Sequence, residues 1–233
     1  MQYTQVSLAN LALGRIGARG VVSSLSEDSP NAIKVLAVFD SVFQEVLCER
    51  DWKFAKTRRA LSLSTTTPLY AYRYAWALPN DFLRFVRPHK RPTNQWQWYW
   101  GYGVEGQGWY NKSDPPLFPV GFPYIVETLP DDGNKYVLID YDGSDNNLPV
   151  MINYIRLISD YSQLMPGFVN CFCWRLGQEL SVSITESPKA FEMCTAMYRE
   201  TLNSAEAQNE TYDFSENEAG SQSWVNAGRW MGA

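Results

Sequence analysis

One stretch constrains the chain more than any other: SPNAIKVLAVFDSVFQEVLCERDWKF, from Ser29 to Phe54. Ala32, Val35, Leu36, Phe39, Val42, Phe43, Val46 and Leu47 recur at steps of three and four, which predicts one apolar stripe on a long helix. Ser29 is suited to the N-cap, because its hydroxyl can accept from an orphan backbone N–H. Pro30 then stands at the first helical position, where its missing N–H costs nothing. Trp52 and Phe54 are expected to close the element with two large rings. A helix with so wide an apolar stripe must be covered by other parts of the same fold.

More helix is expected at both ends of the sequence. Residues 4–17 carry Val6, Leu8, Ala9, Leu11, Ala12, Leu13 and Ile16 on a broad face, with Gly17 or Gly20 as the stop. A loop with Val22, Leu25 and Asp28 leads into the long helix, so these two pair antiparallel. Late in the chain, Asp160 with Gln163 resembles a capping box for a short turn. Pro166 then opens a helix lined by Phe168, Val169, Phe172, Leu176, Leu180 and Ile184. Ser187-Pro188 repeats the serine–proline device and starts a last helix to about Asn209, with Ala190, Phe191, Cys194, Met197, Tyr198, Thr201 and Leu202 as its stripe.

The middle of the chain reads as β structure. Arg59–Ser64 and Tyr70–Leu78 alternate, Phe82–Val86 is short and ends before Pro88, and further strands are expected at Pro123–Leu129, Lys135–Tyr141 and Pro149–Leu157. Asp131-Asp132-Gly133-Asn134 makes a hairpin of the first two of these. The expected fold is therefore α+β: an antiparallel helical bundle from residues 1–58 and 158–209, carrying a central antiparallel β sub-domain over 59–157. Within that sub-domain, residues 89–122 are rich in Gly, Pro and aromatics and read as an inserted loop, a feature more often functional than not at such length. Residues 210–233 hold too little apolar surface to fold alone, and read as a terminal arm that frays or orders on a partner.

At 233 residues the chain can bury a sizeable core, and 45% apolar with 19% charged residues is a globular balance. The excess lies in the aromatics, with 9 Trp and 14 Tyr. Tyr and Trp are enriched at interface cores, so self-association is one outlet and a Trp-rich core the other. A net charge of -5 argues against gripping nucleic acid by its phosphates, though not against surrounding it. The first twenty residues lack the pattern of a secretory signal, and no apolar run reaches membrane-spanning length, so no membrane span is expected. Cys48, Cys171, Cys173 and Cys194 fall in apolar helical stretches and read as small buried hydrophobes of a reducing compartment.

No constellation reads as catalytic, cofactor-binding or metal-binding. Gly101-Tyr102-Gly103-Val104-Glu105-Gly106 matches a dinucleotide fingerprint in letters but lacks the strand before it and the helix after it. Asp131, Asp132, Asp140, Asp142 and Asp145 cluster near the hairpin as turn acids without the spacing of a calcium loop. His89 is the only histidine, with no nucleophile elbow to serve. Trp96, Trp98, Trp100 and Tyr102 alternate, so on a strand they share one face, suited to a neighbouring subunit, to packing within its own loop, or to a sugar ring. In the tail, Phe214, Trp224 and Trp230 are candidate partner anchors.

The order of segments resembles the tail tubular protein A family, the head-to-tail adaptors of short-tailed bacteriophages. The segments that carry it are LANLALGRIGARGVVSSLSEDSPNAIKVLAVFDSVFQEVL, then Asp51-Trp52-Lys53-Phe54-Ala55, then Leu78-Pro79-Asn80-Asp81-Phe82-Leu83, then INYIRLISDYSQLMPGFVNCFCWRLGQELS with the closing helices. They span roughly residues 5–205, while 92–122 departs from the pattern and carries nothing over. The resemblance implies a non-enzymatic virion protein of the tail neck, assembled in the host cytoplasm. It implies a homo-oligomeric, twelve-fold ring beneath the portal protein, joined to a tail nozzle protein of the tail tubular protein B type. Genomic DNA would pass through its channel without sequence-specific binding. Helices would build the ring, the β part would face the nozzle, and the carboxy-terminal segment would reach toward the portal. Some relatives have been credited with polysaccharide hydrolysis, so the alternative is a polysaccharide-binding or polysaccharide-hydrolysing tail protein using the Trp face and Asp131, Asp132, Asp140 or Asp142.

Overall fold

Thr4 opens the first helix by a reciprocal cap: its Oγ1 accepts from the Ser7 N–H at 3.1 Å, and its own N–H donates to Ser7 Oγ at 2.8 Å. The computed structural model describes residues 3–86, 117–118, 124–129, 133–140 and 150–210. Over these the fold is α+β, with helices α1 (Gln5–Arg15), α2 (Pro30–Glu49), α3 (Pro166–Leu180) and α4 (Pro188–Glu210) on either side of an eight-stranded middle in chain order. It divides into two units. One holds Thr4–Phe39 and the described residues from Leu164 onward, and the other holds Asp40–Gln163, so the boundary falls within α2.

In the helical unit, α1 ends as its glycine predicts. Gly17 sits at φ +66, the Ala18 N–H reaches back to Leu13 O, and the Gly17 N–H to Gly14 O, which is the six-to-one and five-to-two pairing of a Schellman stop. Asn10 then pins the following loop, donating to Val22 O at 2.8 Å and accepting from the Val22 N–H at 2.9 Å. Glu27 accepts from the Ser23 and Ser24 N–H groups and from the Ser29 hydroxyl, and Ser29 Oγ accepts from the Ala32 N–H at 3.2 Å. The expected N-cap of α2 is therefore present, held from behind by Glu27. Phe39 meets Phe172 edge-on at 5.1 Å, and Phe168 stacks on Phe172 at 6.3 Å. Leu8, Ala12, Leu13, Val35, Leu176 and Leu180 complete a core with little or no exposure. A Cβ at Gly177 would lie 3.3 Å from Ile16 Cγ2 and 3.6 Å from Cys194 Sγ, so this position marks the close approach of α3 to α1 and α4.

Several expected boundaries shift. The long helix stops at Glu49 rather than Phe54, because Trp52 turns the chain: the Ala55 and Lys56 N–H groups both donate to its carbonyl, at 3.1 and 2.9 Å. Its indole is fully buried and donates to Val46 O at 2.8 Å, which ties the turn back onto the last part of the helix. Leu36, expected in the buried stripe of α2, is 51% exposed, and Leu11 and Phe191 also face outward, since each stands at the margin of its stripe. Helix α3 does not run to Thr185 as a regular α-helix: Ser181–Thr185 widens into a π segment that ends at Glu186 in the left-handed region, φ 49. Cys48 is half-buried, unlike the other three cysteines.

In the β unit, the expected strand 59–64 is two strands in two sheets. β1 (Lys56–Ala60) pairs antiparallel with β8 (Met151–Arg156), whereas β2 (Ser62–Leu63) pairs antiparallel with β3 (Tyr74–Ala77). The chain changes sheet at Leu61, whose N–H donates to Val150 O at 2.8 Å. The first sheet runs β1-β8-β4, with β4 at Phe82–Phe85. β5 (Leu117–Phe118) is added parallel to the start of β8, a pairing that breaks the expected all-antiparallel order inside the stretch read as a loop. The second runs β2-β3-β7-β6, with β6 (Ile125–Thr128) and β7 (Lys135–Ile139) forming the expected hairpin; Gly133 at its turn has φ +68. Leu61, Trp76, Phe82, Val137, Ile139, Ile152 and Tyr154 form the core that the two sheets share. Tyr136 and Leu138 point the other way into a smaller cluster with Ala75 and Leu129, so β7 is buried on both faces.

Candidate interaction surfaces

The rings that the sequence offers as contacts, Trp96, Trp98, Trp100, Tyr102, Phe214, Trp224 and Trp230, lie outside the described residues, as do His89, Gly101-to-Gly106, Asp131, Asp132, Asp142 and Asp145. Of the candidate acids Asp140 alone is described. It is exposed at the end of β7 and accepts the Arg73 N–H at 3.0 Å, which makes it a turn acid. Among the described residues no three His, Cys, Asp or Glu side chains group as metal ligands. No helix among them is long and apolar enough to cross a membrane.

The buried thiols are built for packing. Burial pushes the Cys173 thiol up to about 12, against a smaller opposing pull from Arg15, and its Sγ–H points to Leu8 O at 3.6 Å. Burial also raises Cys194 and Cys48, each opposed by a nearby arginine. Thiols held above their ordinary range carry little thiolate and are poor nucleophiles.

Several large apolar side chains of the described surface stand in the open, and at two places they border a groove. The first is the turn before β3, expected as strand from Tyr70 but found as a tight bend. The Tyr72 N–H donates to Tyr70 O at 2.8 Å across Ala71, whose φ is 68. Leu69 is 96% and Tyr70 80% exposed at this tip, while Tyr72 folds under it onto the outer face of the second sheet. Thr66–Tyr72 faces Ile125, Glu127 and Leu138 across an open groove. The second lies in the helical unit where α3 passes into α4. There Val182 (63% exposed), Pro188 and Phe191 (38% exposed) line a groove with Glu186 and Glu192. A left-handed alanine costs roughly 1–2 kcal/mol. A bare leucine and tyrosine forgo the burial that offsets side-chain ordering.

Sequence reasoning missed both. Pro68 after three threonines was the available signal against a strand at Tyr70, and the αL geometry of Glu186 had none. Comparison with protein-family models and with curated proteins gives no match.

Proposed function

We propose that this chain is a structural subunit of a bacteriophage neck, a head-to-tail adaptor that forms a ring between portal and tail nozzle and lets DNA pass through its centre. The observation that carries the reading is the ordered set of segments, over roughly residues 5–205, whose sequence resembles the tail tubular protein A family. Those segments hold framework residues: Trp52 at its turn, Leu78 and Phe82 in the sheet core, and Gly177 at the helix crossing. In this reading the helical unit is the bundle that builds the ring wall, with oligomer contacts made by its outward apolar residues, Leu11, Ile33 and Leu36. The β unit turns its Leu69–Tyr70 tip to the nozzle. An acidic chain suits a passage that DNA crosses without sticking.

The test is co-sedimentation with purified portal protein, comparing the full chain with a 1–209 truncation. The adaptor reading expects stable co-sedimentation of the full chain and its loss on truncation. A full chain that stays in the supernatant at every portal concentration would contradict it.

A further inference from the structure

We propose that β6 of one copy adds to β1 of a second copy as an antiparallel strand, with Glu127 directly opposite Arg59. Among the described residues, several strands stand at the margins of the two sheets. β2 and β5 are two residues long, too short to hold a partner strand, and β4 is interrupted by a register shift between Phe82 and Arg84. β1 and β6 remain. In an antiparallel ladder, opposed residues alternate between pairs that exchange both main-chain bonds and pairs whose N–H and C=O point away. On β1 the phase is set by the Leu61 N–H donating to Val150 O at 2.8 Å and the Arg156 N–H to Ala55 O at 2.9 Å. Thr57 and Arg59 therefore bond to β8, while Arg58 and Ala60 turn their main-chain groups outward. On β6 the Leu129 N–H donates to Asn134 O at 3.2 Å, so Ile125 and Glu127 bond to β7, while Val126 and Thr128 turn outward. Each margin thus presents two outward residues with one between them, a spacing that a single antiparallel pairing satisfies.

Charge selects the combination. β1 carries Lys56, Arg58 and Arg59 with no acid, and two such strands side by side repel. β6 carries Glu127 with no base, and all four of its residues are exposed, Ile125 and Val126 among them. An open margin with two apolar side chains and no basic guard invites a partner strand. Bonding Val126 to Thr128 of a second β6 would set the two Glu127 carboxylates face to face, which disfavours that pairing. Pairing with β1 does the reverse. When Val126 bonds to Ala60 and Thr128 to Arg58, Glu127 falls opposite Arg59, at the closer spacing of a pair that exchanges no main-chain bonds. Arg58, Arg59 and Ala60 are all exposed, so the strand can be reached. Because β1 and β6 differ, every copy offers both margins and the contact repeats head to tail, the kind of interface that closes into a ring. The inference needs only a second copy of the chain and does not rest on portal or nozzle.

Disulfide trapping on the full chain reads this register. Opposed residues of that kind have Cα atoms about 4.5 Å apart, within the reach of a disulfide. A chain carrying both Arg59→Cys and Glu127→Cys, mildly oxidised alone and with purified portal, should give a ladder of linked multimers on a non-reducing gel. Each single variant should give no ladder. Arg58→Cys with Glu127→Cys places the two thiols on opposite faces of the joined sheet, and should yield about tenfold less. Val126→Pro added to the first pair removes an outward N–H without touching the bonds to β7, and should abolish the ladder. No ladder from the first pair, with or without portal, would overturn the proposal. So would equal yields from the two cysteine pairs, a comparison that needs no proline variant to fold. A chain that joins portal yet gives no ladder would overturn the strand pairing and leave the adaptor reading standing. A ladder from a chain that never joins portal would do the opposite.

Discussion

Arg84 shows how one side chain can close the end of a helix and start a sheet. Its Nε donates to Cys48 O at 2.6 Å, one Nη to Phe85 O at 3.1 Å, and the other lies 2.6 Å from Asp51 Oδ1. The guanidinium fork meets an orphan carbonyl, a backbone oxygen and a carboxylate at once, which a lysine ammonium has neither the geometry nor the donors to reproduce. Arg84→Lys should therefore cost about 1–3 kcal/mol, read as a lower denaturant midpoint with an unchanged slope. An unchanged midpoint would mean that the three contacts are not made together in solution. Nothing in the spacing of Arg84 announced this role, because Cys48 and Asp51 lie more than thirty residues earlier in the chain. Asn10 was silent for the same reason: its two bonds to Val22 depend on where the Schellman turn at Gly17 sends the loop.

At the scale of elements, the sequence was legible where one local pattern decides the structure. The stripe of α2 was readable because Val35, Phe39, Val42, Phe43, Val46 and Leu47 are all buried, and so were the serine caps at Ser29 and Ser187. It was illegible where a distant strand decides. One strand ends at Ala60 and another begins at Ser62 only because their partners, Met151 and Ala77, lie in different sheets, and Leu117–Phe118 is a strand only through β8. The Ala71 turn gives a sharp test at this scale. Ala71→Gly removes the left-handed penalty and should leave stability equal or raised, whereas Ala71→Val should lower it by about 1–3 kcal/mol. Equal losses in thermal or denaturant melts would show that the turn relaxes out of the left-handed region. The loop before α2 gives a pH test. The Ser29 hydroxyl first, then the Ser23 and Ser24 N–H groups, hold the Glu27 carboxyl below its ordinary 4.5. A depressed carboxylate stabilises the fold above its unfolded-state value, and that contribution is lost as pH falls through the folded one. The stability gap between the native chain and Glu27→Gln should thus be present at neutral pH and shrink as pH drops below about 4.5. A gap that grows with acidity would contradict that assignment.

For the whole molecule, the aromatic excess has only a partial explanation in the described residues. Trp52, Trp76 and Tyr154 are core, while Tyr70 is surface. The candidate contact rings at Trp96–Tyr102 and in the tail lie outside the described residues, so they stand as a composition and a spacing without a geometry. The central claim is that this chain works as a ring between other proteins, and native mass measures that directly. Light scattering on the full chain mixed with purified portal should give a complex heavier than portal alone by twelve copies of a 26.6 kDa subunit, about 320 kDa. A chain that stays at its monomer mass whether or not portal is present would contradict the account.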